Sequence, residues 1–203
     1  MKSLAVLYNK MVYRSILRLQ LKTVGRRFRL GYSSELINPH LFSFGDNFFS
    51  GPHCYFVTNE FSPVSIGNDV MFGPFCKIIG GNHDYTYTKG SLIMNQHPFP
   101  EGKEIIIENG AWIGTNAVIL TGAYIGEGAV IGAMGLVNHM VPPYTVAVGV
   151  PAKRFLARFA SDDDLEEVLR NVGSVYTADR LRRIYRECGV ETRHAYPSVG
   201  NEP

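Results

Sequence analysis

Histidine and paired basic residues offer the most direct chemistry in this sequence. His83 follows two glycines and Asn82 in a polar segment rich in aromatic residues. A neutral imidazole can accept a proton from a hydroxyl near neutral pH, so His83 is a candidate general base. Lys153 and Arg154 are adjacent cations, and such a pair suits the phosphates of a polyanionic ligand.

A six-residue period dominates residues 105–154 and must position these groups. A large apolar residue occupies every sixth position, at Ile107, Ile113, Ile119, Ile125, Ile131 and Val137. A small or slim residue follows each one four positions later, at Ala111, Ala117, Ala123, Ala129, Gly135 and Val141. A parallel β-helix has this period, because each hexapeptide supplies one short strand and one corner. The sequence therefore predicts an all-β solenoid of triangular cross-section. We expect the glycines that follow the isoleucines to permit the backbone angles of its corners.

The repeat predicts a β-helix domain over residues 41–155, with two interruptions. Residues 58–64 form a small loop in this prediction, and residues 80–104 form a long excursion that contains His83. A solenoid places its insertions outside the stack, and long insertions in compact proteins are often functional. We expect the excursion to reach a neighbouring subunit.

The N-terminal segment, residues 1–40, begins with an amphipathic cationic stretch at residues 3–24 that predicts a helix. It is too short and too charged for a transmembrane span or a signal peptide. Two alternatives remain open for it: packing on the prism, or contact with an anionic membrane surface.

The C-terminal segment, residues 156–203, predicts two α-helices and a frayed end. Ser161 precedes three aspartates, which is typical of a capped helix start, and Thr177 begins a second helical run. We expect these helices to cover the open end of the prism or to pack on an adjacent subunit.

Composition narrows the function classes. The 203 residues are 45% hydrophobic and carry a formal net charge of +2, which argues against a dedicated nucleic-acid binder. The three cysteines, Cys54, Cys76 and Cys188, lack metal-ligand spacing, so we expect no metal and a reduced, cytoplasmic location. Cys54 and Cys76 occupy small-residue positions, which predicts core packing.

Three runs carry a family resemblance: residues 111–119, residues 125–133 and the ending Gly149-Val150-Pro151-Ala152-Lys153. They resemble the hexapeptide-repeat acyltransferases, most closely the galactoside, maltose and polysaccharide O-acetyltransferases and the related xenobiotic acetyltransferases. The resemblance implies a left-handed β-helix, a homotrimer, and acetyl-CoA as donor to a hydroxyl of a sugar or glycan precursor. The handedness rests on the resemblance alone, because parallel crossovers generally turn right-handed.

The resemblance also implies roles for individual residues on the acceptor side. His83 matches the position of the catalytic base, with Asn82 and Tyr85 beside it as acceptor contacts. His53 stands where the galactoside-type enzymes carry an asparagine that holds the acceptor; an outward-facing coil residue is the alternative. The carboxylate that would orient His83 stays open between Glu60 and Asp84.

On the donor side the resemblance implies CoA contacts at Trp112, Gly114, Thr115, Ala133, Asn138, Lys153 and Arg154. Leu156 replaces a second arginine of some relatives, so we expect Arg154 or Arg158 to substitute for it. Competing interpretations are N-acetylation of an amino-sugar nucleotide, modification of a xenobiotic, and a non-catalytic β-helix scaffold.

Overall fold

The computed structural model describes residues 14–95 and 102–191. Within these ranges, seventeen short strands form three sheets, and from β3 to β16 consecutive strands lie in successive sheets. Each turn of chain thus passes the first, second and third sheet before it repeats one level higher. The result is the triangular β-helix that the six-residue period predicts.

The strand bounds follow this order. The first sheet contains β1 (Thr23–Val24), β3 (Phe42–Phe44), β6 (Val64–Ile66), β9 (Ile105–Ile107), β12 (Tyr124–Ile125) and β15 (Met140–Val141). The second contains β4 (Phe49–Ser50), β7 (Met71–Phe72), β10 (Trp112–Ile113), β13 (Val130–Ile131), β16 (Thr145–Val148) and β17 (Arg154–Ala157). The third contains β2 (Glu35–Ile37), β5 (Tyr55–Val57), β8 (Lys77–Ile79), β11 (Val118–Leu120) and β14 (Leu136–Val137). Named strands pair in parallel except β17, which is antiparallel to β16.

The chain turns at three corners, which we number by the sheets they join. The first corner joins the first and second sheets, the second corner joins the second and third, and the third corner returns to the first sheet. Side chains at equivalent corner positions therefore lie above one another in successive coils.

The interior confirms the large and small positions of the repeat. Fully buried are Ile113, Ile119, Ile125 and Ile131 at the large position and Ala111, Ala117, Ala123 and Ala129 at the small position. Toward the N-terminal end, phenylalanines replace the isoleucines, and the Phe72 ring lies 5.8 Å from Phe48 and 5.2 Å from Phe56. Each such side chain contributes roughly 1.5–3 kcal/mol relative to an exposed one.

The reason why glycine follows the isoleucines differs from the one we expected. Gly114, Gly126 and Gly132 do not have positive φ; the left-handed residues come two positions later, at Asn116, Gly128 and Met134. A Cβ on Gly114 would lie 2.6 Å from the carbonyl oxygen of Ile131, in the next coil. Close stacking of coils, and not corner geometry, therefore requires these glycines.

The β-helix begins earlier than the predicted boundary at residue 41. Strands β1 and β2 already pair with β3 and β5, and Arg29 forms a bridge with Phe49. Helix α1 (Arg14–Gln20) precedes this coil, and its Leu17, 2% exposed, belongs to the core cluster. The described part of the N-terminal helix thus packs on the prism, but the helix ends before residue 24, because Thr23–Val24 form β1. Residues 3–13 of the predicted helix lie outside the described residues.

The C-terminal helices pack on the side of the prism and not over its open end, which corrects one expectation. They are α2 (Asp162–Val172) and α3 (Ala178–Cys188), and the hydroxyl of Ser161 accepts the Asp164 N–H at 3.1 Å. Their apolar faces surround Tyr144 at the first corner, through Leu165, Leu169, Ala178 and Leu181. No helix in the described part of the chain has the length and apolar character needed to cross a bilayer.

Candidate functional site

The excursion that carries His83 leaves the prism at the third corner, between β8 and β9. Two hydrogen bonds tie its start to the coils on either side: the Gly80 N–H donates to the Val57 carbonyl at 2.8 Å, and the Gly81 N–H donates to Thr121 Oγ1 at 2.8 Å. The base of the excursion is therefore held rigidly, although its residues lie outside the repeat.

His83 is exposed on this excursion, as is Asn82, and Tyr85 is 72% exposed. Asp84 Oδ1 accepts hydrogen bonds from the N–H and the hydroxyl of Thr86, at 2.9 and 2.5 Å. This carboxylate therefore closes a local turn. In the part of the chain that the structure describes, neither Asp84 nor Glu60 hydrogen-bonds to His83, so the carboxylate partner stays open.

His53 lies at the second corner, which the third sheet separates from the corner of His83. The sheet is about 10 Å wide for strands of three residues. Within one chain, the two histidines therefore belong to different edges of the prism. His53 has a φ of 58°, and its ring stacks on Phe75 with centroids 5.0 Å apart and meets the edge of Tyr32 at 5.2 Å.

Sequence reasoning missed this ring stack. Tyr32, His53 and Phe75 are 21 and 22 residues apart, which is the length of a full coil at this end of the prism. That spacing was the available signal, because residues one coil apart at the same corner must be neighbours.

The donor-side candidates lie in two places, on the outer face of the second sheet and at the second corner. Trp112 is 49% exposed on the outer face of the second sheet, between Met71 and Val130 in register. Thr115 and Ala133 follow at the second corner, one coil apart, and both are exposed or partly so. The arrangement gives a half-exposed apolar face that leads to a corner lined by small residues.

Gly114 adjoins this corner, but its stacking against Ile131 already explains why the residue is glycine. A cofactor contact is therefore not needed to account for it.

The two adjacent basic residues at the end of the prism, Lys153 and Arg154, differ in their contacts. Arg154 donates to both carboxylate oxygens of Glu191, with Nη2 2.9 Å from Oε2, and this contact raises the pKa of Arg154 and lowers that of Glu191. Lys153 is exposed and forms no ion pair with another described residue. Lys153 is thus the more available cation for a phosphate.

Asn138 lies at the third corner and not with the other donor-side candidates. Its Oδ1 is 3.1 Å from Nδ1 of His139, whose Nε2 is 3.2 Å from the carbonyl oxygen of Ala152. This chain of contacts links Asn138 to the residue that precedes Lys153, across the last coil. Arg158, the other expected cation, donates from Nη1 to the Gly128 carbonyl at 2.9 Å.

The cysteines have the packing environment that the repeat predicts. Cys54 and Cys76 are buried and free, one coil apart, with sulfurs 3.3 and 3.1 Å from the carbonyls of Gly73 and Gly114. The neighbouring Cys54 thiol, together with burial, raises the pKa of Cys76. Across residues 14–95 and 102–191, no three His, Cys, Asp or Glu side chains are grouped to hold a metal ion.

Comparison with known proteins shows which family the repeats resemble. The family model for the bacterial transferase hexapeptide, with six repeats, matches residues 104–139. A Schizosaccharomyces pombe protein named as an acetyltransferase is 36% identical over 110 residues, which cover 54% of this chain and 50% of that protein. The repeats of this chain match that model, and the chain is similar to hexapeptide-repeat acyltransferases. It spans about half the length of the curated relatives it matches.

Solved structures of acetyltransferases share the fold over most of the chain. A maltose O-acetyltransferase from Clostridium difficile is 28% identical with a TM-score of 0.64, covering 79% of this chain and 80% of that one. A hexapeptide-repeat acetyltransferase from Vibrio cholerae, solved with acetyl coenzyme A, is 27% identical with a TM-score of 0.62, covering 76% and 78%. The matched repeats include Trp112, Thr115 and Ala133, whereas His83 and Lys153 lie outside them.

Proposed function

We propose that the protein transfers the acetyl group of acetyl-CoA directly to a hydroxyl of a sugar or glycan precursor. The observation that carries this proposal is the exposed imidazole of His83 on an excursion anchored to a hexapeptide-repeat prism. The similarity to a maltose O-acetyltransferase and to an acetyltransferase that binds acetyl-CoA supports the choice of donor and acceptor.

In the proposed reaction, His83 accepts the proton of the acceptor hydroxyl as the oxygen attacks the thioester carbonyl. The C–S bond of the tetrahedral intermediate then breaks, and the CoA sulfur leaves with the proton held by the imidazolium. The acetyl ester forms without a covalent enzyme intermediate and without a metal. Cys54 and Cys76, the candidates for a nucleophilic thiol in the repeat, are buried, which supports direct transfer.

The donor is proposed to lie along the second sheet and second corner. Trp112 would pack beside the thioester end, Gly114, Thr115 and Ala133 would border the pantetheine, and Lys153 would contact the phosphates. Arg154 is held by Glu191, which makes Lys153 the main phosphate contact in this proposal. Asn138 would lie near the phosphate end, since its neighbour His139 contacts Ala152, the residue before Lys153.

We propose that the prism is left-handed and that three copies associate. The His83 corner and the face of Trp112 are separated within one chain, and a second copy could bring another His83 to that face. The excursion, 25 residues between β8 and β9, is long enough to cross to a neighbour. His53, Asn82 and Tyr85 would then hold the acceptor.

We propose a cytoplasmic location, which the free thiols of Cys54 and Cys76 support. Burial of Leu17 and Leu21 against the prism favours packing over membrane contact for α1.

The test is acetyl transfer by the purified protein with acetyl-CoA and a panel that includes maltose, methyl galactoside and glucosamine. Product is detected by mass, since a thiol reagent would also react with the partly exposed Cys188. His83→Ala should lower turnover by roughly a hundredfold and leave acetyl-CoA affinity unchanged. His40→Ala is the matched control, because that side chain is also exposed and has no role in the proposed site.

Near-wild-type turnover in His83→Ala would contradict the catalytic assignment, and His53 would be the next residue to replace. Transfer to glucosamine nitrogen in preference to every hydroxyl would replace O-acetylation with N-acetylation. A protein that binds neither acetyl-CoA nor any acceptor would leave the scaffold interpretation.

A further inference from the structure

A cavity of about 340 Å³ lies at the first corner, away from both groups of candidate residues. Four successive coils place Asp69, Gly110, Gly128 and Tyr144 at the left-handed position of this corner, with φ between 53° and 68°. Because the two middle residues have no side chains, they leave a notch between Asp69 and Tyr144. A Cβ on Gly110 would meet nothing closer than 3.9 Å, which shows how open the notch is.

Helix α2 closes the side of the notch with apolar side chains. Val168 and Val172 of the helix line this wall together with Val175 just beyond its end, and the last two are 58% and 77% exposed. The helix also ends here, with Gly173 as its left-handed cap. A helix C-terminus carries partial negative charge, so it favours a cation beside it.

The floor of the notch holds a buried carboxylate with one oxygen unused. Glu127 is 8% exposed, and its Oε1 accepts the hydroxyl of Tyr144 at 2.6 Å. Among the residues that the structure describes, no donor reaches Oε2 of Glu127. A buried carboxylate oxygen without a donor is costly, so a donor supplied by a ligand would relieve it.

The charges around the notch favour a cation over an anion. Asp69 and Glu127 are both acidic, whereas Arg158 is the basic residue of the described lining. Arg158 donates to the Gly128 carbonyl at 2.9 Å and lies 5.0 Å from the Phe159 ring centroid; no ion pair joins it to Glu127 in the described chain. Arg158 therefore does not donate to the free oxygen of Glu127.

We propose that this notch binds the ammonium group of a small organic amine, with Glu127 as acceptor and the α2 valines against its carbon chain. A metal ion fits less well, because the described residues group no three metal-ligating side chains. The apolar wall would make no favourable contact with a bare metal ion, whereas it can pack against an alkyl chain. The site is independent of the proposed acetyl transfer, since it lies at a different corner.

The test is isothermal titration of the full-length protein with butylammonium chloride, with butan-1-ol as a neutral ligand of similar size. The wild type should bind the amine saturably and bind butan-1-ol at least about tenfold more weakly, because the charge-assisted hydrogen bond is lost. Glu127→Gln should weaken amine binding by about tenfold or more, since its amide still accepts from Tyr144 but carries no charge. Glu35→Gln, on the exposed face of the third sheet, should bind as the wild type does.

The proposal is overturned if the wild type binds butylammonium no better than butan-1-ol, or if Glu127→Gln binds it equally well. Should Glu127→Gln fail to fold, Asp69→Asn serves as the second variant, because Asp69 is exposed. That variant should weaken amine binding by about threefold, because one negative charge near the notch is lost. An unchanged affinity would also overturn the proposal.

Discussion

Two glycines of the same coil should lose different amounts of stability on the same substitution, Gly114→Ala and Gly110→Ala. At Gly114 a new Cβ would lie 2.6 Å from the Ile131 oxygen and 2.7 Å from the Ala133 nitrogen, both backbone atoms of the next coil. Reaching a contact of 3.4 Å requires the coils to separate by about 0.8 Å, the difference between the two distances. This shift also strains the hydrogen bond from Gly114 N–H to Ile131 O, now 2.8 Å.

The expected cost at Gly114 combines two effects. Overpacking typically costs about 1–3 kcal/mol, and weakening one backbone hydrogen bond adds about 1 kcal/mol. We therefore expect Gly114→Ala to lower the free energy of unfolding by roughly 2–4 kcal/mol.

At Gly110 the cost of alanine comes from the backbone conformation and not from lack of space. Its φ is 68°, and the nearest atoms to a Cβ, both of Gly128, are 3.9 Å away. The left-handed conformation costs alanine about 1–2 kcal/mol, and the reduced entropy of the unfolded chain returns about 0.4–1 kcal/mol. The net loss should be about 1 kcal/mol.

Urea denaturation followed by circular dichroism measures both losses. The three proteins must be compared at one protein concentration, because self-association would add to the apparent stability. Equal losses for the two variants, or a larger loss for Gly110→Ala, would refute the claim that coil contact, and not φ, requires glycine at position 114.

The remaining predictions concern the cofactor, pH and assembly. Lys153→Ala should weaken acetyl-CoA by about tenfold at unchanged saturated turnover, since phosphate contacts act equally in ground and transition states. Arg154→Ala should have a smaller effect because Glu191 already holds that guanidinium, and titration calorimetry would rank the two variants. Burial and the Glu127 hydrogen bond raise the pKa of Tyr144, so its contribution to stability is present below about pH 10 and lost as pH rises further. Tyr144→Phe should therefore flatten the fall of the urea midpoint between about pH 9 and 11. Light scattering should give the mass of a trimer, and a monomer at micromolar concentration would contradict that proposal.

The architecture was predictable from the sequence because the six-residue period is a local property. One large apolar residue in six must enter the prism. Ile113 and Ile119 can therefore be predicted as core residues from the period alone, without knowledge of their neighbours. The helix start at Ser161 was equally local, since a capping hydroxyl acts within one turn. The position of His83 outside the coils followed from the place where the period stops.

Tertiary structure decided what depends on contacts between coils or with the C-terminal segment. The contact that makes Gly114 necessary lies 17 residues further along the chain, at Ile131. The pairing of Arg154 with Glu191 and the packing of α2 at Tyr144 arise because the chain folds back after the last coil. A local period carries no information about such pairs, since it specifies which residues face inward but not which outward side chains meet.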